Sequence, residues 1–408
     1  MTTLTVTSGH ILALRLYDVA YSIDLAVAER LWAAHAFGPA ARAQLSATSP
    51  KAVTFGVPPL ALGVGSVILP LPGGPVQAAA TARLYDFGVV SLALRVEAEG
   101  RDVEAFARLM NEIQAIVGPG AGPHTGPNTW LNAGLDARPN VGQNAAKPGA
   151  VANAAPCSGG RHWALLLEQV RGVLGAALFK PSAAVVEEDY LLGVVHAFDA
   201  RPTARELLEQ VDFVPILSGE QRALSEAARA DLLRQRFSYY EDDLVILTWD
   251  RAFVYEPRGD SDVDDVLEVA NAQLVEMRYY DDLLDAELPR MYKAVESTRR
   301  PLNLFNSRRY ASLARELNTL VAEVTELTEK VDNALQVTED VYLARIYAAA
   351  VETLRVRTVY AGVERKLAII RDTYRALYEE ASSSRAELME ITVILLIAVE
   401  VVLAFLRH

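Results

Sequence analysis

Between Leu388 and Leu406 the chain carries an apolar stretch in which only Glu390 and Glu400 are charged, and no other window approaches it in length. As an α-helix its 19 residues would extend about 28 Å, close to the roughly 30 Å hydrocarbon core of a bilayer. Arg385 precedes it and Arg407 follows it, as polar ends should. The pattern predicts a single C-terminal membrane-anchoring helix over residues 386–406. Glu400 is its one flaw: a carboxylate there would face a partner helix or take up a proton, which makes it an assembly residue. The alternative is a packing helix buried in an oligomer. No basic residue stands before Arg15 and no long apolar run lies near the N-terminus. Neither a secretory signal nor a transit peptide is read there, so the expectation is a cytoplasmic N-terminal bulk on a membrane tail anchor.

A chain of 408 residues exceeds one ordinary core and suggests several folded units. The net charge of −13 comes without any Lys/Arg block longer than two residues. Phosphate backbones need a concentrated basic face, so nucleic acid is a poor partner on charge. One cysteine, Cys157, excludes an internal disulfide framework and a multi-cysteine zinc site.

Periodicity divides the chain into an α+β head and a helical stalk. Residues 1–117 read as a first α+β unit: a strand at 10–17, a helix from Leu25, and a hairpin of 82–85 and 89–96 across Asp86-Phe87-Gly88. A helix opened by Asp102 then runs to about Val117. Residues 118–160, rich in Gly, Pro, Ala and Asn without periodicity, read as a flexible insertion. Residues 161–260 repeat the order of elements, with strands at 190–198, 244–249 and 252–255. The head is therefore expected to contain two small α+β units, alike either by duplication or by chance similarity of their hairpins.

From residue 261 to 381 everything reads as helix. An acidic helix starts at Val263. The next has apolar residues at Leu313, Leu317, Leu320, Val324, Leu327 and Val331, and the last at Val356, Tyr360, Val363, Leu367, Ile370, Tyr374 and Leu377. Those alternating spacings of three and four are heptad seams. With a break near 337–340 they predict a long antiparallel coiled-coil hairpin that leads into the tail.

The runs Leu367–Glu380 and Ser384–Leu403, with Glu400 near the end, resemble the family named for being required for meiotic nuclear division. Val266–Asp282 and Tyr85–Leu92 are similar to two further stretches of that family. The resemblance implies a membrane-tethered scaffold with eukaryotic relatives that support organelle translation, and it transfers no catalytic residue. The insertion at 118–160 and Leu-Thr-Trp-Asp at 247–250 depart from the pattern.

No phosphate loop, dinucleotide fingerprint, nucleophile elbow or His-Glu-x-x-His motif is present. Gly118-x-Gly120-x-Gly122 is compositional, and Cys157 beside His162 is an incidental pairing. On the acidic helix Glu268, Asn271, Val275, Arg278 and Asp282 share one face. Asn271, Arg278 and Asp282 are the candidate polar pocket; Asp281, Asp282 and Asp285 could gather a divalent cation, against the plainer reading of a solvated face. No catalytic residue, cofactor or metal ligand is assigned. The expected function is a non-enzymatic, self-associating, membrane-tethered scaffold (a homo-oligomer with a further protein partner). The alternatives are a membrane-associated enzyme or ligand sensor with its site between the two α+β units, or a ribosome- or RNA-associated tether.

Overall fold

A computed structural model describes residues 4–35, 39–42, 53–118, 158–182, 186–220, 222–259, 262–298, 306–333, 335–337 and 341–406. Its first half runs β1 (Thr5–Asp18), β2 (Ala20–Ile23), α1 (Leu25–His35), β3 (Ala40–Arg42), β4 (Val53–Phe55), β5 (Leu60–Leu71), β6 (Gly74–Leu84), β7 (Val89–Glu97), β8 (Arg101–Asp102) and α2 (Val103–Val117). After the segment that holds most of the expected insertion, which lies outside the described residues, come α3 (Ser158–Leu174), β9 (Leu178–Pro181), β10 (Glu187–Phe198), α4 (Ala204–Gln210), α5 (Val214–Leu217), α6 (Glu226–Leu232), β11 (Arg236–Phe237), β12 (Leu244–Leu247) and β13 (Arg251–Tyr255). The rest is α7 (Val263–Thr298), α8 (Asn306–Asp332), β14 (Leu335–Val337), α9 (Val341–Thr353) and α10 (Val356–Leu406).

The two halves of the head do not form two units. Their strands enter one mixed sheet of ten strands among the described residues, ordered β11-β12-β13-β10-β1-β7-β6-β5-β3 with β8 on β1. β1 joins the halves, pairing antiparallel with β7 of the first and β10 of the second. The parallel pair β10–β13 makes the sheet mixed. A central strand needs hydrogen-bonding partners on both edges and apolar cover on both faces, which neither half supplies alone.

Alternation along the strands divides the core in two. Ile11, Ala13, Leu191, Val195 and Phe253 face α1–α5, with Trp32, Phe106 and Trp163 behind them. Leu14, Leu16, Leu192, Val194 and Val254 face α7, which is in turn covered by α8, α9 and α10. The first half of α7 is buried nearly all round, as befits a helix with sheet on one side and helices on the others. Of the heptad residues, Leu317, Val324, Val331, Val356, Val363, Leu367 and Ile370 are buried. Strand β14 ties the helical part back to the N-terminal half by pairing with β4.

The expected membrane anchor is corrected. Among the described residues no helix is long and apolar enough to cross a membrane. Residues 386–406 are the end of α10, one continuous helix with no break at Ser382–Ser384. Glu390 and Glu400 bracket an uncharged run of nine residues, 391–399, about 14 Å of helix and half a hydrocarbon core. With the span go the tail anchor, the single-pass membrane localisation built on it and the intramembrane role of Glu400, which lies exposed on α10.

Candidate functional site

Asn271, Arg278 and Asp282, expected to share a polar pocket, have separate surroundings. The Asn271 side chain is buried and donates to the Leu267 carbonyl of its own helix, 2.9 Å away. Arg278 pairs with Glu188 of β10, and Asp282 is exposed. The expected cation cluster is also closed: Lys366 of α10 binds Asp281 at 2.7 Å and Asp285 at 2.6 Å.

Polar groups converge one and a half turns and more before those residues, where α7 begins. A cavity of about 240 Å³ opens there, lined by His10 of β1, Arg95 of β7, His196 of β10, Glu256 after β13, and Asp264 and Asp265 of α7. Both halves of the head contribute. On β1 the period of two that places Leu14 and Leu16 against α7 also carries His10 to that face, beyond the end of the helix.

Strand pairing shifts at this point. Gly9 pairs with Val195 and Ser8 with Ala197, so His196 is the extra residue of a β-bulge. Bulges turn a side chain away from the regular pleat and recur beside functional sites. Gly9 permits the close approach, because a Cβ there would stand 2.7 Å from the Val194 carbonyl oxygen. The His10 and His196 rings lie 5.6 Å apart, and His196 Nδ1 is 3.2 Å from the Glu256 carbonyl.

His10 is only 4% exposed, and its Nδ1 has no hydrogen-bond partner. Burial, with Arg95 and His196 nearby, depresses its pKa to about 3, so the ring is neutral at physiological pH. A buried polar atom without a partner costs about 1–3 kcal/mol and calls for an explanation. Asp264 titrates near 7 because it is desolvated and stands beside Asp265. The wall of the cavity is rigid: Arg83 of β6 clamps Asp265 at 2.6 Å and Glu268 at 3.0 Å, and the Tyr85 hydroxyl donates to Glu268 at 3.2 Å. One arginine thus ties the buried Glu268 and the half-buried Asp265 of α7 to the sheet.

A second cluster lies further along α7. Glu276 is fully buried and neither of its oxygens reaches hydrogen-bond geometry, though Asp18 and the Tyr280 hydroxyl stand beside it. Asp18, also fully buried, accepts from Ser182 Oγ at 2.7 Å with one oxygen and has no partner for the other. Burial pushes Asp18 up to about 7, and burial with the Asp18 charge raises Glu276 far above the carboxylate range. No group of three or more His, Cys, Asp or Glu among the described residues is placed to hold a metal ion.

His10, His196 and Asp264 were not singled out from sequence. The signal available was a histidine in phase with the apolar face of a strand and the acidic run that opens α7.

The matched family model is that of the N-terminal domain of uncharacterized protein MJ0711, over residues 8–133 and 139–262. Those limits take in the sheet and end where α7 begins, so His10, Arg95, His196 and Glu256 fall inside them. The stretches that resemble the meiotic nuclear division family at 266–282 and 367–403 lie beyond. Uncharacterized protein MJ0711 of Methanocaldococcus jannaschii is 22% identical over 193 residues, 47% of this chain and 58% of that protein. The chain thus spans little more than half the length of that relative. No solved structure matches. The family model covers well over half of the chain, which therefore belongs to the MJ0711 N-terminal domain family.

Proposed function

We propose that this protein binds a small polar molecule in the cavity between the sheet and the start of α7, and that its helices α7–α10 carry the response. The observation that carries the reading is the convergence of His10, Arg95, His196, Glu256, Asp264 and Asp265, from both halves of the head and the start of α7, around one cavity. At about 240 Å³ the space suits a metabolite rather than a drug-sized ligand. The same helix that walls the cavity runs on through the core shared with α8, α9 and α10. A ligand bound against the first turn of α7 thereby touches the helix on which the whole helical layer packs.

The test is thermal unfolding of the full chain against a panel of small cationic, neutral and anionic metabolites, repeated on His10→Leu. A true ligand at 100 times its Kd adds about 2.7 kcal/mol to stability and raises the melting temperature by a few degrees. The expected result is at least one such compound, with the shift lost in the variant. A panel without effect, or shifts that survive in His10→Leu, would overturn the reading.

The self-associating scaffold expected from sequence keeps one observation in its favour. Val393–Ile397, Val399 and Val401–Leu403 are large apolar residues left exposed on α10, an arrangement a second copy of the chain would cover. A monomeric mass at micromolar concentration would exclude that second reading.

A further inference from the structure

We infer that the helical layer holds a ligand site of its own, which takes a small amphipathic carboxylate: a hydrocarbon body carrying one ionised acid. A cavity of about 380 Å³ opens between α7, the end of α8, α9 and the start of α10. Met277 of α7, Val331 of α8, Val351 of α9 and Val356 of α10 are buried and form its apolar floor. Tyr347, Ala348, Arg357 and Tyr360 line it too, and their greater exposure places them at its mouth. One polar wall is fixed from within. The Tyr347 hydroxyl donates to Gln273 Oε1 at 2.6 Å, and Gln273 Nε2 donates to the Val331 carbonyl at 2.8 Å. An apolar lining with a few convergent polar groups is the usual make-up of a small-molecule site.

The charge of the ligand follows from what is left unpaired. The chain has 52 acids against 39 Lys and Arg, yet among the described residues no Asp or Glu lines this cavity. Its one charged group is Arg357, whose side chain makes no ion pair or hydrogen bond among the described residues. Arg357 also sits in the first turn of α10, where the helix dipole favours an acid and none is present. An anion on Arg357 would pair the free guanidinium and relieve its conflict with the dipole. A carboxylate suits it, because the planar fork offers two parallel N–H bonds to the two oxygens. With the acid held at the mouth, a hydrocarbon body reaches the floor of Met277, Val331, Val351 and Val356. A neutral molecule would leave the arginine unpaired, and an ammonium would be repelled by it. The site is separate from the acid-lined cavity at the start of α7, and neither reading depends on the other.

The experiment is isothermal titration calorimetry of the full chain at neutral pH and physiological salt. The probes are 3-phenylpropionate, its neutral counterpart 3-phenylpropan-1-ol and the cation 3-phenylpropylammonium. Wild type is compared with Arg357→Gln, which removes the charge, and with Ala348→Phe, which fills the cavity from its rim. Both positions are exposed on their helices, and an unchanged circular dichroism spectrum checks each variant. Saturable binding of one 3-phenylpropionate per chain is expected, at least tenfold weaker in Arg357→Gln and lost in Ala348→Phe. The alcohol and the ammonium should bind at least tenfold more weakly than the acid. If Ala348→Phe fails to fold, Arg357→Gln and the alcohol decide between them. Binding that survives in a folded Ala348→Phe lies elsewhere, as on the exposed apolar residues of α10, and overturns the site. Binding unchanged in Arg357→Gln, or an alcohol that binds as tightly as the acid, overturns the carboxylate class. The absence of any 3-phenylpropionate binding up to millimolar concentration overturns the inference as a whole.

Discussion

Replacing Asp18 by Asn should stabilise the protein at neutral and alkaline pH. In the folded chain Asp18 has no solvent exposure and titrates near 7 instead of its ordinary 3.8. A carboxyl raised in this way binds its proton more tightly folded than unfolded, so it favours the folded state at low pH. That advantage is lost as the pH rises from about 4 through 7, and above 7 the folded chain carries a buried carboxylate next to Glu276. Three pH units at 1.36 kcal/mol each set a ceiling of about 4 kcal/mol on the effect. Asparagine keeps the bond from Ser182 Oγ through its carbonyl oxygen. Its amide can then face the site of the unsatisfied Asp18 oxygen, so that a carboxyl pair becomes a donor and an acceptor. Urea unfolding at pH 5.5 and pH 8 is the assay. Wild type should lose on the order of 1–3 kcal/mol relative to Asp18→Asn between the two pH values, with the variant the more stable at pH 8. The difference cancels the background repulsion of the acidic chain. A variant less stable than wild type at pH 8, or a difference that does not change with pH, would refute the argument.

Arg83→Gln should cost about 3–5 kcal/mol, because it strands the buried Glu268 and the half-buried Asp265 without their shared cation; equal urea midpoints for variant and wild type would count against the clamp. Gly88→Ala should be among the most damaging single changes in the head. Gly88 has φ +99°, and a Cβ there would lie 1.8 Å from the Ala20 carbonyl oxygen, so a loss of at least about 2 kcal/mol is expected on unfolding titration, and a loss under 1 kcal/mol would show the turn to be more forgiving than drawn.

What could be read from the sequence and what could not separates by range. The hairpin across Asp86-Phe87-Gly88, the Asp102 cap that accepts from the Ala105 amide at 2.7 Å and the heptad seams all rest on neighbours a few residues apart. The parallel pairing of β10 with β13 joins strands separated by several other elements, and no local turn chemistry announces it. Nor does any announce the pairing of β1 with β10, without which the two halves of the head look like two units rather than one sheet. The tail misled for a related reason: its mean apolarity resembles a span, whereas the positions of Glu390 and Glu400 divide it. The polar sites were hidden by context. Glu276 sits between Val275 and Met277 on a helix whose many acids suggested a solvated face. It became buried only because sheet and helices close on α7 from all sides. His10 lies in a strand otherwise rich in Ile, Leu and Ala, and reads as a tolerated polar residue until His196, 186 positions later, is swung beside it by a bulge. In each case the residue type was visible and its neighbours were not, so the chemistry of this chain is a property of the long-range pairings that β1 makes on its two edges.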